Sequence, residues 1–124
     1  MEIRFLKEGA PDCPILQIYG DKAVEYDLLI NEIGQLVSGE KDKLNVTNLE
    51  NFISHSNIKV VFTVSETDIG VVTNDEMDFN CYLSKNTWSG VIRKLTVLKP
   101  PSHGYGWLDE TADISLLISK GLSW

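Results

Sequence analysis

Residues 58–83 carry three β-patterned runs in succession, and together they oblige the chain to build a sheet. Ile58-Lys59-Val60-Val61-Phe62-Thr63-Val64 is rich in β-branched residues, the side chains that fit a pleated surface. Ser65-Glu66-Thr67-Asp68 stops it, and Ile69-Gly70-Val71-Val72-Thr73 follows as the expected hairpin partner. The acidic turn Asn74-Asp75-Glu76-Met77-Asp78 then leads into Phe79-Asn80-Cys81-Tyr82-Leu83. Three strands with short connections predict an antiparallel meander at the centre of the molecule.

The flanking sequence mixes strand and helix periods. Glu2 to Leu6 alternates, with Ile3 and Phe5 on one side, and Ile15 to Tyr19 is a second short strand after a Gly-Pro turn. Val24, Leu28, Ile33, Leu36 and Val37 recur at helical spacing. Gly39 stands where a helix C-terminus favours positive φ, and Gly34 weakens the helix interior. Thr47-Asn48-Leu49-Glu50 reads as a capping box, opening a helix from Asn48 to about His55 that buries Leu49, Phe52 and Ile53. Trp88, Val91, Ile92 and Leu95 fall at i, i+3, i+4 and i+7 and predict a helix over 86–95, although Leu95-Thr96-Val97-Leu98 also suits a strand.

After Pro100-Pro101 comes a closing hairpin: a strand through Trp107, an acidic turn at Asp109-Glu110, a strand through Ser119, and a turn at Gly121 that lets Trp124 fold back. Leu108, Ile114, Leu116 and Ile118 are expected to pin it to the sheet. Without regular βαβ alternation the class is α+β. The expected architecture is one domain over 1–124, with a largely antiparallel sheet (central meander plus C-terminal hairpin) and two or three helices packed on one face.

Charge is the most informative property of the surface. Eighteen acidic against eleven basic residues give a net charge of −7, which disfavours nucleic-acid binding, because that affinity rests on Lys and Arg neutralising phosphates. From Val60 to Ser84 there are five acids, Glu66, Asp68, Asp75, Glu76 and Asp78, and no Lys or Arg; from Pro100 to Ser119 there are three, Asp109, Glu110 and Asp113, again without a cation. All eight fall at predicted turns or strand ends. They are the candidate partner-binding residues, with Tyr105 as an aromatic anchor, on the argument that an acidic patch steers a basic protein surface towards it. The competing explanation is that acids at turns simply keep the protein in solution.

Catalytic signatures are weak. His103, in a loop beside Gly104 and Tyr105, is the one candidate acid–base residue and carries the alternative reading, a small hydrolase. His55 is expected at a helix C-terminus, where the dipole explains it. Two His and two Cys are scattered without zinc-ligand spacing, and residues 74–80 lack the Gly and the closing Glu of a calcium loop. No Gly-x-Ser-x-Gly elbow or phosphate loop occurs. No catalytic residue, metal or cofactor is expected. The first residues lack a signal-peptide layout and no run approaches a membrane span. The expectations are therefore a cytoplasmic protein that does not touch membrane, with Cys13 and Cys81 reduced.

The closing segment also carries a resemblance. Trp107-Leu108-Asp109-Glu110, Asp113-Ile114-Ser115-Leu116-Leu117-Ile118-Ser119, and Gly121 with Trp124 resemble the bacterial immunity proteins of contact-dependent inhibition and related polymorphic-toxin systems. They span about a sixth of the chain and are structural rather than catalytic. The resemblance implies a non-enzymatic cytoplasmic inhibitor, monomeric or weakly homodimeric, that blocks the active or substrate-binding site of a cognate toxin domain. A basic nuclease fits the acidic surface best. No toxin-contacting position is carried over from the family.

Overall fold

The strands divide between two sheets, whose order explains why neighbouring runs do not always pair. A computed structural model describes residues 1–8, 14–100 and 104–121. In chain order the elements are β1 (Glu2–Leu6), β2 (Ile15–Tyr19), α1 (Ala23–Ser38), β3 (Lys43–Asn45), a 3-10 turn (Val46–Asn48), β4 (Ile53–Ser54), a second 3-10 turn (His55–Asn57), β5 (Lys59–Val64), β6 (Gly70–Thr73), β7 (Asp78–Leu83), α2 (Lys85–Leu98), β8 (Tyr105–Asp109) and β9 (Ser115–Ser119). The first sheet has the order β4-β1-β2-β9-β8 and the second β3-β5-β7-β6. The class is α+β, as expected, with two α-helices among the described residues.

The expected central meander is corrected. β7 inserts between β5 and β6, running parallel to β5 and antiparallel to β6. β7 alternates Phe79, Cys81 and Leu83 inward, all buried, and so takes a central place, whereas the four-residue β6 leaves Val72 exposed and suits an edge. The closing hairpin forms as expected, β8 against β9, but it belongs to the first sheet, where β9 lies parallel to β2. Among the described residues one isolated bridge, Val71 to Ile114, links the two sheets.

Both sheets and both helices face one apolar cluster. Ile3, Leu16, Ile18, Leu116 and Ile118 enter it from the first sheet, and Val60, Phe62, Phe79, Cys81 and Leu83 from the second. α1 contributes Tyr26, Leu29, Ile33 and Leu36, and α2 contributes Trp88, Val91 and Leu95. Trp88 packs 4.7 Å from Phe62, centroid to centroid, and donates its indole N–H to the Thr63 carbonyl at 3.1 Å. Burying an aromatic of this size removes on the order of 200 Å² from water, about 5 kcal/mol before entropy is subtracted. Leu108, Ile114, Leu116 and Ile118 are buried as expected of the hairpin's anchors.

The helix ends follow from local chemistry. α1 runs through Gly34 and stops at Gly39, whose φ of 86° is left-handed and whose N–H donates to the Leu36 carbonyl. At its start Glu25 reaches back to the Lys22 N–H, and the amino-terminal ammonium pairs with the same carboxylate. α2 continues to Leu98 rather than ending at residue 95.

The expected helix from Asn48 to His55 does not form. Thr47 sits inside a 3-10 turn, Ile53 is exposed rather than buried, and Asn51, Ser56 and Asn57 adopt positive φ. Asn and Ser side chains compete for backbone partners and disfavour helix interiors, and five of them fall within residues 48–57. His55 therefore has no α-helix end to interact with. Its Nε2 lies 2.8 Å from Glu2 Oε1 and 3.0 Å from the Tyr19 hydroxyl. Cys13, His103 and Trp124 lie outside the described residues, so the expectations attached to them rest on sequence alone. Among the described residues no helix is long and apolar enough to cross a membrane.

Candidate partner-binding surface

The two faces of the second sheet differ sharply. Inward positions of β5, β6 and β7 belong to the core. Register aligns the outward positions into rows: Val61 beside Asn80 beside Val72, and Thr63 beside Tyr82 beside Gly70. Val61, Asn80 and Tyr82 are half-buried and Val72 is exposed, whereas Thr63 and Gly70 are buried. Antiparallel and mixed sheets of this kind commonly cover one face and leave the other to solvent or a partner.

The acidic turns lie at opposite ends of this sheet. Ser65 and Ile69 bond to Leu83 and Tyr82, so Glu66 and Asp68 sit at the Leu83 end of β7. Asp75, Glu76 and Asp78 sit at the Phe79 end, about 17 Å away along a six-residue strand. The turn after β8 joins the first group: a Cβ on Gly70 would lie 2.8 Å from Ala112 N and 3.0 Å from Asp109 Oδ2. Asp109 and Asp68 also both act on Cys81, whose thiol is pushed well above its ordinary range, first by burial and then by these two charges. Glu66, Asp68, Asp109, Glu110 and Asp113 thus share one end, and Asp75, Glu76 and Asp78 occupy the other.

Within each group the carboxylates are unequally available. Asp109 is buried; its Oδ1 accepts from the Thr111 hydroxyl at 2.6 Å, while Oδ2 has no hydrogen-bond partner among the described residues. It is a structural residue of the hairpin end. Asp68 accepts from Ser84 N at 2.8 Å and from Thr87 Oγ1 at 2.7 Å, at the N-terminus of α2. These bonds, the backbone one foremost, hold its pKa below the ordinary value. Glu66, Glu110 and Asp113 are exposed.

At the other end Asp75 Oδ1 accepts from the N–H groups of Asp78 and Met77, both at 2.9 Å, and in that order these lower its pKa. Glu76, with φ of 60°, is paired to Lys7 at 3.2 Å. Asp78 is exposed at the start of β7, with Lys59 as its register neighbour on β5. A cavity of about 210 Å³ opens here, walled by Val72, Thr73, Asp75, Asp78, Asn80 and Tyr82. That is below the roughly 300–1,000 Å³ of metabolite pockets.

Tyr105 is exposed at the far end of β8, four residues from Asp109, and joins neither group. Sequence reasoning missed Val61, Val72, Asn80 and Tyr82. The signal was present in the alternation of residues 79–83, which sends Asn80 and Tyr82 outward when Phe79, Cys81 and Leu83 turn in. Among the described residues no group of three or more His, Cys, Asp or Glu side chains is placed to hold a metal ion. No family model, curated protein or solved structure matches the chain.

Proposed function

We propose that the chain is a cytoplasmic immunity-type inhibitor, monomeric or weakly homodimeric, that binds a basic toxin domain and covers its active or substrate-binding surface. The observation carrying this reading is the outward face of the β3-β5-β7-β6 sheet, half-buried and aromatic at its centre and bordered at both ends by exposed carboxylates. A nuclease presents positive charge to its nucleic-acid substrate, and a surface of this kind competes for that charge while steering the encounter. The resemblance of residues 107–124 to immunity proteins supports the same role. Activity here is occlusion, with no bond made or broken.

Co-expression with the product of the neighbouring upstream gene tests it. The expected result is a tight 1:1 complex and restored growth in cells producing the toxin. A toxin that neither forms a complex with the chain nor loses toxicity in its presence overturns the reading.

A further inference from the structure

The two acidic ends of the open sheet face are chemically different: the recess at the Leu83 end, about 490 Å³ and lined by Val64, Ser65, Glu66, Ser84, Lys85 and Asn86, already carries a cation in its wall, and the one at the Phe79 end does not. At the Leu83 end one carboxylate is buried and another is bonded to the start of α2. At the Phe79 end the carboxylates of Asp75 and Asp78 border a cavity that also presents the Tyr82 ring, the Val72 side chain and the Asn80 amide. Thus an apolar and aromatic wall stands beside acceptors for hydrogen bonds.

We infer that this cavity is the anchor point of the docking face and takes a single arginine side chain from the partner protein. The inference rests on the function proposed above and names the group that the open face recognises. Charge complementarity selects a cation: Asp75 and Asp78 border the cavity and no Lys or Arg lines it, since Lys59, beside Asp78 in register, and Lys7, paired to Glu76, both stand outside its wall. Shape selects arginine over lysine. A planar guanidinium stacks on an aromatic ring and pairs with a carboxylate through two N–H groups at once, whereas an ammonium is a strongly hydrated point charge. Val72 supplies apolar surface for the aliphatic stem. The size of the recess suits one side chain and excludes a nucleotide. A second copy of this chain is disfavoured as occupant, since each copy carries −7 and presents the same acids.

The test uses the intact protein, amide NMR spectra and three capped tripeptides, acetyl-Gly-Arg-Gly-amide and its Lys and Gln counterparts. Arginine peptide is expected to shift Val72, Thr73, Asn80 and Tyr82 saturably, with Kd on the order of millimolar. The lysine peptide should bind several-fold more weakly and the glutamine peptide not measurably. Asp78→Asn should weaken the arginine peptide at least fivefold, and so should Tyr82→Leu, whose loss is of the ring rather than the charge; each variant's spectrum verifies its fold. Glu40→Gln, in the exposed turn after α1 and outside the cavity wall, should leave binding unchanged.

Three results overturn the inference: no saturable shift at these residues, equal response to Arg and Lys spread over all acidic turns, or concentration-dependent shifts at Val72 and Tyr82 without peptide, which would mark self-association. A toxin complex that forms while the peptide fails to map here removes the anchor and leaves the immunity reading standing. A mapped peptide with no toxin complex does the reverse.

Discussion

Asp68 occupies a turn that reads, from sequence, like any other solvated acid, yet both its oxygens are engaged by Ser84 N and Thr87 Oγ1 at the start of α2. The charge complements the helix dipole there. Its folded-state pKa is below the ordinary value of 3.8, so the unfolded chain holds the proton more tightly. The stability it contributes is therefore complete at neutral pH, above the unfolded value, and is lost as pH falls through the folded value. Asp68→Asn is expected to cost about 0.5–1 kcal/mol at pH 7, measured by urea unfolding, with the gap to wild type closing by pH 3 or below; a gap independent of pH would assign the loss to packing. Glu66→Gln, two residues away and without such bonds, should change little. The identity of each acid was legible in the sequence, but its partners were not. Asp109 shows this most clearly: its turn position suggested exposure, yet it is buried, with Gly70 from another part of the chain brought close to its Oδ2.

At the scale of elements, legibility followed periodicity. β1, α1 and most of α2 announce themselves because each repeats its apolar positions at a single period, and β2 and the closing hairpin because they are short apolar runs bounded by turn residues. Pairing was harder, because a run of β-branched residues says that it will pair and not with which neighbour. Insertion of β7 between β5 and β6 is decided by burial of Phe79, Cys81 and Leu83 against helices that the run itself does not contain. The 47–55 segment failed differently: a Thr followed three residues later by Glu has the form of a capping box, but Thr47 bonds elsewhere. Its hydroxyl donates to Asn45 Oδ1 at 3.0 Å and accepts from the Val60 N–H at 3.3 Å, tying the 3-10 turn to β5. Thr47→Ala leaves that partly buried N–H unsatisfied and should cost about 1–2 kcal/mol. Exchange of the Val60 amide should quicken while far-UV helix content stays constant. A fall in helix content would instead restore the cap reading.

For the whole molecule, the net charge of −7 is concentrated at the ends of one sheet, and folding brings together acids that the unfolded chain keeps apart. Glu66 and Asp68 lie more than forty residues from Glu110 and Asp113 in sequence, but Gly70 brings their turns into contact. Self-repulsion of this kind opposes the folded state and is screened by salt over a Debye length of about 30 Å at 0.01 M and 8 Å at 0.15 M. The ion pair at these turns, Lys7–Glu76 at 73% and 48% side-chain exposure, is too exposed to reverse the sign, since such pairs contribute little. Stability in urea should therefore rise between 10 and 200 mM sodium chloride, by on the order of 0.5 kcal/mol. Placing cations in the crowded turn, as Glu110→Lys with Asp113→Lys, should raise stability at low salt and shrink the salt response. If stability is flat or falls with salt, and the double variant behaves as wild type, then the two acidic turns do not repel in the folded protein. The crowding of carboxylates at the Gly70 end would then carry no energetic weight, and the pull on a basic partner would fall to the Phe79 end alone.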